Sequence, residues 1–148
     1  MKKILIINGP NLNKLGEREI EIYGEVSLDE IKLNCENFAK DKKIEISFFQ
    51  SNSESEIIEC IQNANGKYLG IIINAAAFTH TSIAIHDSLK IVNCKKIEVH
   101  ISNPYKRESF RQKSYISPVC DGIISGFGFE VYKIAIFALN QLLGNTDE

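Results

Sequence analysis

Residues 3–10 read Lys3-Ile4-Leu5-Ile6-Ile7-Asn8-Gly9-Pro10. A short, unbroken, Ile-rich run of this kind predicts a strand buried on both faces, as in a parallel sheet. With Met1-Lys2-Lys3 in front of it, the run briefly mimics a signal peptide. Asn8-Gly9-Pro10 ends it too early for a secretory h-region.

The pattern then repeats along the chain. Ser27-Leu28-Asp29-Glu30 is a capping box, and Leu28, Ile31, Cys35, Phe38 and Ala39 follow it at helical spacing. Ile44 to Phe49 reads as a second strand. Ser53 and Glu56 suit another capping box, before Ile57, Ile58, Ile61 and Ala64 on one helix face, and Asn65-Gly66 closes that helix. Tyr68 to Ile73 predicts a third strand, and Thr81 or Ser82 caps a helix to about Lys90. Lys96 to Ile101 is the fourth strand and Gly122 to Ile124 the fifth. Glu130 to Leu143 is a final amphipathic helix, with residues 145–148 expected to fray. Five strand-then-helix units predict a flavodoxin-like α/β fold. It is a doubly wound five-stranded parallel sheet with helices on both faces, forming a single domain over residues 1–148.

Composition agrees with a soluble domain. The 148 residues are 44% hydrophobic and 24% charged, with a net charge of -2. A near-neutral chain argues against a nucleic-acid binder, whose phosphate contacts need a basic excess. No apolar run reaches membrane-span length. Cys35, Cys60, Cys94 and Cys120 are too far apart for a metal knuckle or a CxxC motif, and read as reduced thiols of a cytoplasmic protein. Only three of the 17 cations are Arg, namely Arg18, Arg107 and Arg111, each in a loop-like stretch. Arg is the better bidentate carboxylate binder, which singles these three out.

In doubly wound sheets, ligands bind beyond the carboxyl ends of the strands. Asn8, Gln50, Asn74 and His100 close four of the strands, and Ser125 follows the fifth. Loops are generally polar, but amides and His without Asp or Glu suit an uncharged or anionic ligand rather than a hard cation. The acidic pocket of a phosphoacceptor receiver domain is missing. Gly9 to Tyr23 holds no Ser or Thr for a flavin phosphate. Gly126-Phe127-Gly128 reads as a strand-to-helix turn rather than a dinucleotide motif, and no Walker A pattern occurs.

Residues 9–24 form a connection much longer than the usual ~2–6 residues, carrying Asn11, Asn13, Arg18 and Tyr23. Two readings fit: a lid, or a solvated loop anchored by Tyr23. His80 stands in Thr79-His80-Thr81-Ser82, where a helix start offers free amides to an anion or hydroxyl. His86 falls within that helix as a surface or packing residue. Glu98 and His100 alternate along a strand and so share one face, where a carboxylate can fix an imidazole tautomer. Taken alone, His100 would pass for a hydrogen-bonded structural residue.

Several blocks together carry a family resemblance. They are Asn8-Gly9-Pro10-Asn11-Leu12-Asn13, Gly16-Glu17-Arg18-Glu19, Ile22-Tyr23-Gly24, Gln50-Ser51-Asn52, and Asn74 with Thr79-His80-Thr81-Ser82. Glu98-Val99-His100-Ile101-Ser102-Asn103, Arg107-Glu108, Phe110-Arg111, Ser114-Tyr115-Ile116-Ser117-Pro118 and Gly122 to Gly128 continue in the same order. The chain resembles the type II 3-dehydroquinate dehydratases over nearly its whole length. The resemblance implies cofactor-free, metal-free, reversible dehydration of 3-dehydroquinate to 3-dehydroshikimate in the shikimate pathway. Quinate breakdown is a pathway variant. Nothing here resembles the Schiff-base Lys of the type I enzymes.

That reaction removes a proton beside a ketone and expels a hydroxyl, so it needs a base, an acid and enolate stabilisation. By resemblance, Tyr23 is the base. A phenol is almost wholly protonated at neutral pH, and Arg18, five residues earlier, would favour its phenolate. Asn11 would help hold a water on the enolate oxygen. His100 would protonate the leaving hydroxyl, oriented by Glu98. The Ile101 and Ser102 amides would receive the substrate carboxylate, and Asn74, His80, Asp87 and Arg111 its remaining polar groups. Asp87 alone reads as an exposed helical acid and Arg111 as a surface cation. The family also implies a homo-oligomer, a dodecamer built as a tetramer of trimers.

The sequence departs from the usual pattern in five places. Ile20 replaces a Pro, Ser53 a His, and Ala75-Ala76-Ala77-Phe78 a Pro-Gly-rich stretch; His86 replaces an Arg, and Pro104-Tyr105-Lys106 also differs. Ile20 frees a fixed φ in the connection, and His86 weakens an ion pair expected at a subunit contact. None removes a proposed catalytic group. Two other readings keep the same fold, a non-catalytic small-molecule binder and a structural oligomer subunit.

Overall fold

The computed structural model describes residues 1–144; the fraying expected for 145–148 lies outside the described residues. Five parallel strands stand in the order β2-β1-β3-β4-β5, the doubly wound arrangement expected. They are β1 Lys2–Asn8, β2 Ile44–Gln50, β3 Gly70–Asn74, β4 Lys95–His100 and β5 Gly122–Ser125. The helices are α1 Ile20–Tyr23, α2 Leu28–Ala39, α3 Glu54–Ala64, α4 Ile83–Ile91 and α5 Glu130–Leu143.

The unbroken apolar run of β1 is resolved by residue parity. Ile4 and Ile6 pack with Ile31, Cys35, Val131 and Leu139 of α2 and α5 on one face. Leu5 and Ile7 pack with Ile57, Ile61, Ile85 and Leu89 of α3 and α4 on the other. Both sets are buried because helices cover both faces, and each fully buried Ile or Leu contributes about 1.5–3 kcal/mol. Burial also settles the thiols. It pushes Cys35 and Cys120 up to about 12 and Cys60 up to about 11, so none is poised as a nucleophile.

The helix starts follow the sequence closely, with one correction. Ser27 and Glu30 form the full reciprocal capping box of α2. Ser53 caps α3 by accepting the Glu56 N–H, but the Glu56 carboxylate instead accepts the Ser51 hydroxyl at 2.5 Å. The second box is therefore only half formed. Ser82, rather than Thr81, caps α4, accepting the Ile85 N–H at 2.9 Å. Strand β3 starts at Gly70, not Tyr68, because the Tyr68 N–H still closes the end of α3 on the Ala64 carbonyl at 3.0 Å.

The long connection after β1 is more ordered than a plain loop. A 3-10 turn at Leu12–Lys14 buries Leu12, and Leu15 is buried just behind it. The one-turn α1 follows, entered through Glu19 at φ 42°. Gly9 has no room for a side chain, since a Cβ there would lie 2.4 Å from the Ala75 carbonyl oxygen. That close approach joins the ends of β1 and β3 at the point where the strand order reverses, the expected place for a ligand.

Candidate active site

At the carboxyl end of the sheet a cleft is lined by Asn11, Arg18, Tyr23, Asn74, His80, His100, Ile101, Ser102, Arg107 and Arg111, with Pro10, Leu12, Ala76, Ala77 and Pro104. Its floor is a buried polar chain. The Tyr132 hydroxyl, from α5, donates to Asn8 Oδ1 at 2.6 Å and accepts from Asn74 Nδ2 at 3.0 Å. Asn8 Nδ2 donates to the Phe49 carbonyl, and Asn74 Oδ1 accepts the Ala76 N–H. Two strand-end amides are thereby fixed, each with its oxygen and one N–H partnered.

One wall is built around Glu98, which is 1% exposed. His100 Nε2 lies 2.5 Å from Glu98 Oε2, as the shared strand face predicts. Ser114 Oγ donates to the same oxygen at 2.9 Å, and Ser117 Oγ donates to Oε1. Burial works to raise the Glu98 carboxyl, but the His100 bond and charge and the two serine hydroxyls outweigh it and hold it below the usual range. His100 is thus set with one nitrogen on a carboxylate and the ring edge toward the cleft. His80 stacks beside it with ring centroids 6.4 Å apart. Its Nδ1 lies 2.7 Å from the Lys113 carbonyl, which can only accept, so Nδ1 carries the proton and Nε2 is left as an acceptor. Burial lowers the His80 pKa, which keeps the ring neutral for that role.

The opposite wall carries Tyr23. Its hydroxyl accepts from Arg107 Nη1 at 2.7 Å, and the guanidinium carbons of Arg18 and Arg107 stand 5.0 and 5.2 Å from the ring centroid. Arg107 also donates to Ser102 Oγ at 3.3 Å. The phenol thus has one charged donor on its oxygen and a second cation over its ring. Glu19 is their counter-ion, 3.2 Å from Arg18 and 3.8 Å from Arg107. Arg111 is held by Glu108 at 2.8 Å.

The structure therefore brings together ten of the eleven residues singled out from the sequence: nine line the cleft, and Glu98 stands directly behind His100. Asp87 is the exception, exposed on α4 and outside the cleft lining. His86 is half-buried, its Nδ1 2.6 Å from the Tyr115 carbonyl. Arg107 was missed as a site residue, although the scarcity of arginine was a signal for it: all three arginines line this cleft. Ser114, Ser117 and Tyr132 were also missed, because their partners lie far away in sequence. Among the described residues, no group of three or more His, Cys, Asp or Glu is arranged to hold a metal, and no helix is long and apolar enough to cross a membrane.

Comparison with known proteins places this geometry in context. The family model described as Dehydroquinase class II matches residues 2–140. A 3-dehydroquinate dehydratase of Caldicellulosiruptor bescii is 54% identical over 144 residues, covering 97% of this chain and 99% of that protein. One of Nitratiruptor sp. is 53% identical over 140 residues, covering 95% and 90%. The crystal structure of the type II dehydroquinase from Butyrivibrio crossotus superposes with a TM-score of 0.92 at 49% identity, covering 94% of this chain and 97% of that one.

Proposed function

The chain belongs to the class II dehydroquinase family, and we propose that it dehydrates 3-dehydroquinate to 3-dehydroshikimate through an enolate, with Tyr23 as base and His100 as acid. The observation that carries this reading is the pairing of two proton-transfer groups across one cleft. A phenol oxygen bound by a guanidinium faces an imidazole bound by a buried carboxylate.

Tyr23, as phenolate, would take the proton beside the substrate ketone. Arg107 at 2.7 Å is the main stabiliser of the charge on that oxygen, and Arg18 adds to it from the ring face. Asn11, which lines the same cleft, would hold a water against the enolate oxygen. Elimination of the hydroxyl follows, with the His100 imidazolium giving up its proton and the Glu98 carboxylate stabilising its charge. Each such proton-transfer group is worth ~10²–10⁴ in rate. Ile101 and Ser102 receive the substrate carboxylate, Arg111 and Asn74 donate to its polar groups, and neutral His80 accepts from a hydroxyl. The reading includes a place on the shikimate route and a cytoplasmic location.

The same reading includes a homo-oligomer, a dodecamer of four trimers. Its support is the apolar surface the single chain leaves open, including Ile83 and Ile91 on α4, Ile123 on the edge strand β5, and Phe137 on α5. A substrate role for Asp87 also asks for this assembly, because the residue lies outside its own chain's cleft.

The test is direct. Purified protein mixed with 3-dehydroquinate should generate the ultraviolet absorbance of the conjugated enone product. Absence of that signal above background at micromolar enzyme removes the lyase assignment.

A further inference from the structure

We propose that Ser114 and Ser117 are positioning residues for the acid half of the reaction: their hydroxyls lock Glu98 as an acceptor and so make His100 the proton donor of that pair. The inference rests on the lyase reading above and adds to it residues on a separate segment of chain.

The argument is one of donor accounting. A serine hydroxyl has one proton and two lone pairs. Ser114 Oγ accepts the N–H groups of Ile116 and Ser117, each at 3.0 Å. Both lone pairs are then in use, so its proton must go to its remaining partner, Glu98 Oε2 at 2.9 Å. Glu98 Oε2 therefore cannot carry a proton toward Ser114. The same oxygen faces His100 Nε2 at 2.5 Å, and with a serine hydroxyl donating to each oxygen and the carboxyl held below its ordinary range, the charged carboxylate accepts and the imidazole donates in that bond. Ser117 Oγ supplies the matching donor to Oε1. With three donors converging on a side chain 1% exposed, the carboxylate stays charged where burial alone would neutralise it. The segment reaches His80 as well. Lys113 O fixes the His80 Nδ1 proton, and the Tyr115 N–H binds the Thr79 carbonyl at 2.9 Å. Residues 113–117 thus set the proton arrangement of both cleft histidines.

The titratable groups around Glu98 are few. His100 lies on its own strand, His80 comes from the turn after β3, and Cys120 follows the serine segment. Cys120 is held protonated by burial, up to about 12. Loss of a serine hydroxyl therefore leaves Glu98 and the two histidines as the groups free to respond. It removes a bond that favours the charged carboxyl, so Glu98 takes up a proton at higher pH than before.

The experiment compares Ser117→Ala, Ser114→Ala and the hydroxyl-retaining Ser117→Thr with the parent. In Ser117→Ala, kcat should fall on the order of tenfold near neutral pH, less than the ~10²–10⁴ of a proton-transfer group itself. KM should hold within about twofold, and the acid limb of the kcat profile should move to higher pH. Ser117→Thr should restore the parent profile. The Ser114→Ala variant should show a shift in the same direction. Because it also loosens the segment, Ser117→Ala decides the matter if that protein folds poorly. A profile for Ser117→Ala that superimposes on the parent's overturns the proposal, as does a rise in KM at unchanged kcat. Nitrogen-15 NMR of the His100 ring supplies the readout that does not need turnover. Nε2 should stay protonated across the titration in the parent and lose its partner at higher pH in the variants. An inactive parent with that NMR difference would remove the lyase reading and keep the serine lock; identical NMR titrations would remove the lock itself.

Discussion

Glu98 and Tyr23 serve one cleft from opposite walls, and they are held in opposite ways. Glu98 is 1% exposed, receives three hydrogen bonds, and sits on a central strand of the sheet. Tyr23 stands on a four-residue helix entered through a left-handed Glu19 and flanked by exposed Ile20 and Ile22. Its partners are long arginine side chains, and their counter-ion, Glu19, is 45% exposed. Buried, fully satisfied networks have little freedom, whereas exposed ion pairs contribute ~0–1 kcal/mol each. The acid wall is thus the more tightly held, and we propose that the base wall moves as substrate enters. That is the physical content of reading residues 9–24 as a lid.

The largest expected effect breaks the base wall. Tyr23→Phe should lower kcat by at least ~10²–10⁴ while leaving KM nearly unchanged, measured by enone formation. Near-normal kcat would strip Tyr23 of its role.

The acid wall should fail differently, in stability as well as rate. Glu98→Gln turns a donor toward groups that are themselves donors, so kcat should drop by about 10²-fold and thermal stability should fall. The pH dependence separates the two effects. Glu98's folded pKa lies below its ordinary 4.5, so as pH falls the unfolded chain binds the proton first. Its contribution is complete above that ordinary value and is lost as pH falls through the folded one. The parent Tm should therefore decline more steeply than that of Glu98→Gln between about pH 5 and pH 3. Parallel declines would contradict the assignment.

Between the two arginines, the geometry ranks the effects. Arg107 is 13% exposed and bonds the Tyr23 oxygen, while Arg18 is 32% exposed and approaches the ring. Arg107→Lys should cost about tenfold in kcat and Arg18→Lys less, because Lys cannot reproduce the guanidinium fork. The reverse order would make Arg18 the main partner of the base. The smallest effect is Ser27→Ala, which removes the cap of α2 just behind residues 9–24. It should cost ~1 kcal/mol by denaturant titration with kcat unchanged. A matching loss of kcat would show that the segment and α2 move together.

Much of this was legible in sequence for definite reasons. A buried strand must end in a loop, so Asn8, Asn74 and His100 mark the cleft floor and rim. Strand alternation places Glu98 with His100. Both readings rest on short-range geometry. The Arg107–Tyr23 bond spans 84 residues, and no local pattern encodes it. The role of Ser114 depends on a segment folding over β4, and the half-formed box at Ser53 on competition from Ser51. Where one side chain chooses among several partners, only the folded chain decides.

The Tyr132 hydroxyl beneath the cleft also bears on the order of events during synthesis. Asn8 and Asn74 leave the ribosome early, but the group that joins them belongs to the last helix. Until α5 docks, both amides remain open to water and the floor between β1 and β3 is unfinished. The cleft floor thus joins residues 8 and 74 through a hydroxyl that enters the chain only with α5, so a complete binding site requires α5 in place.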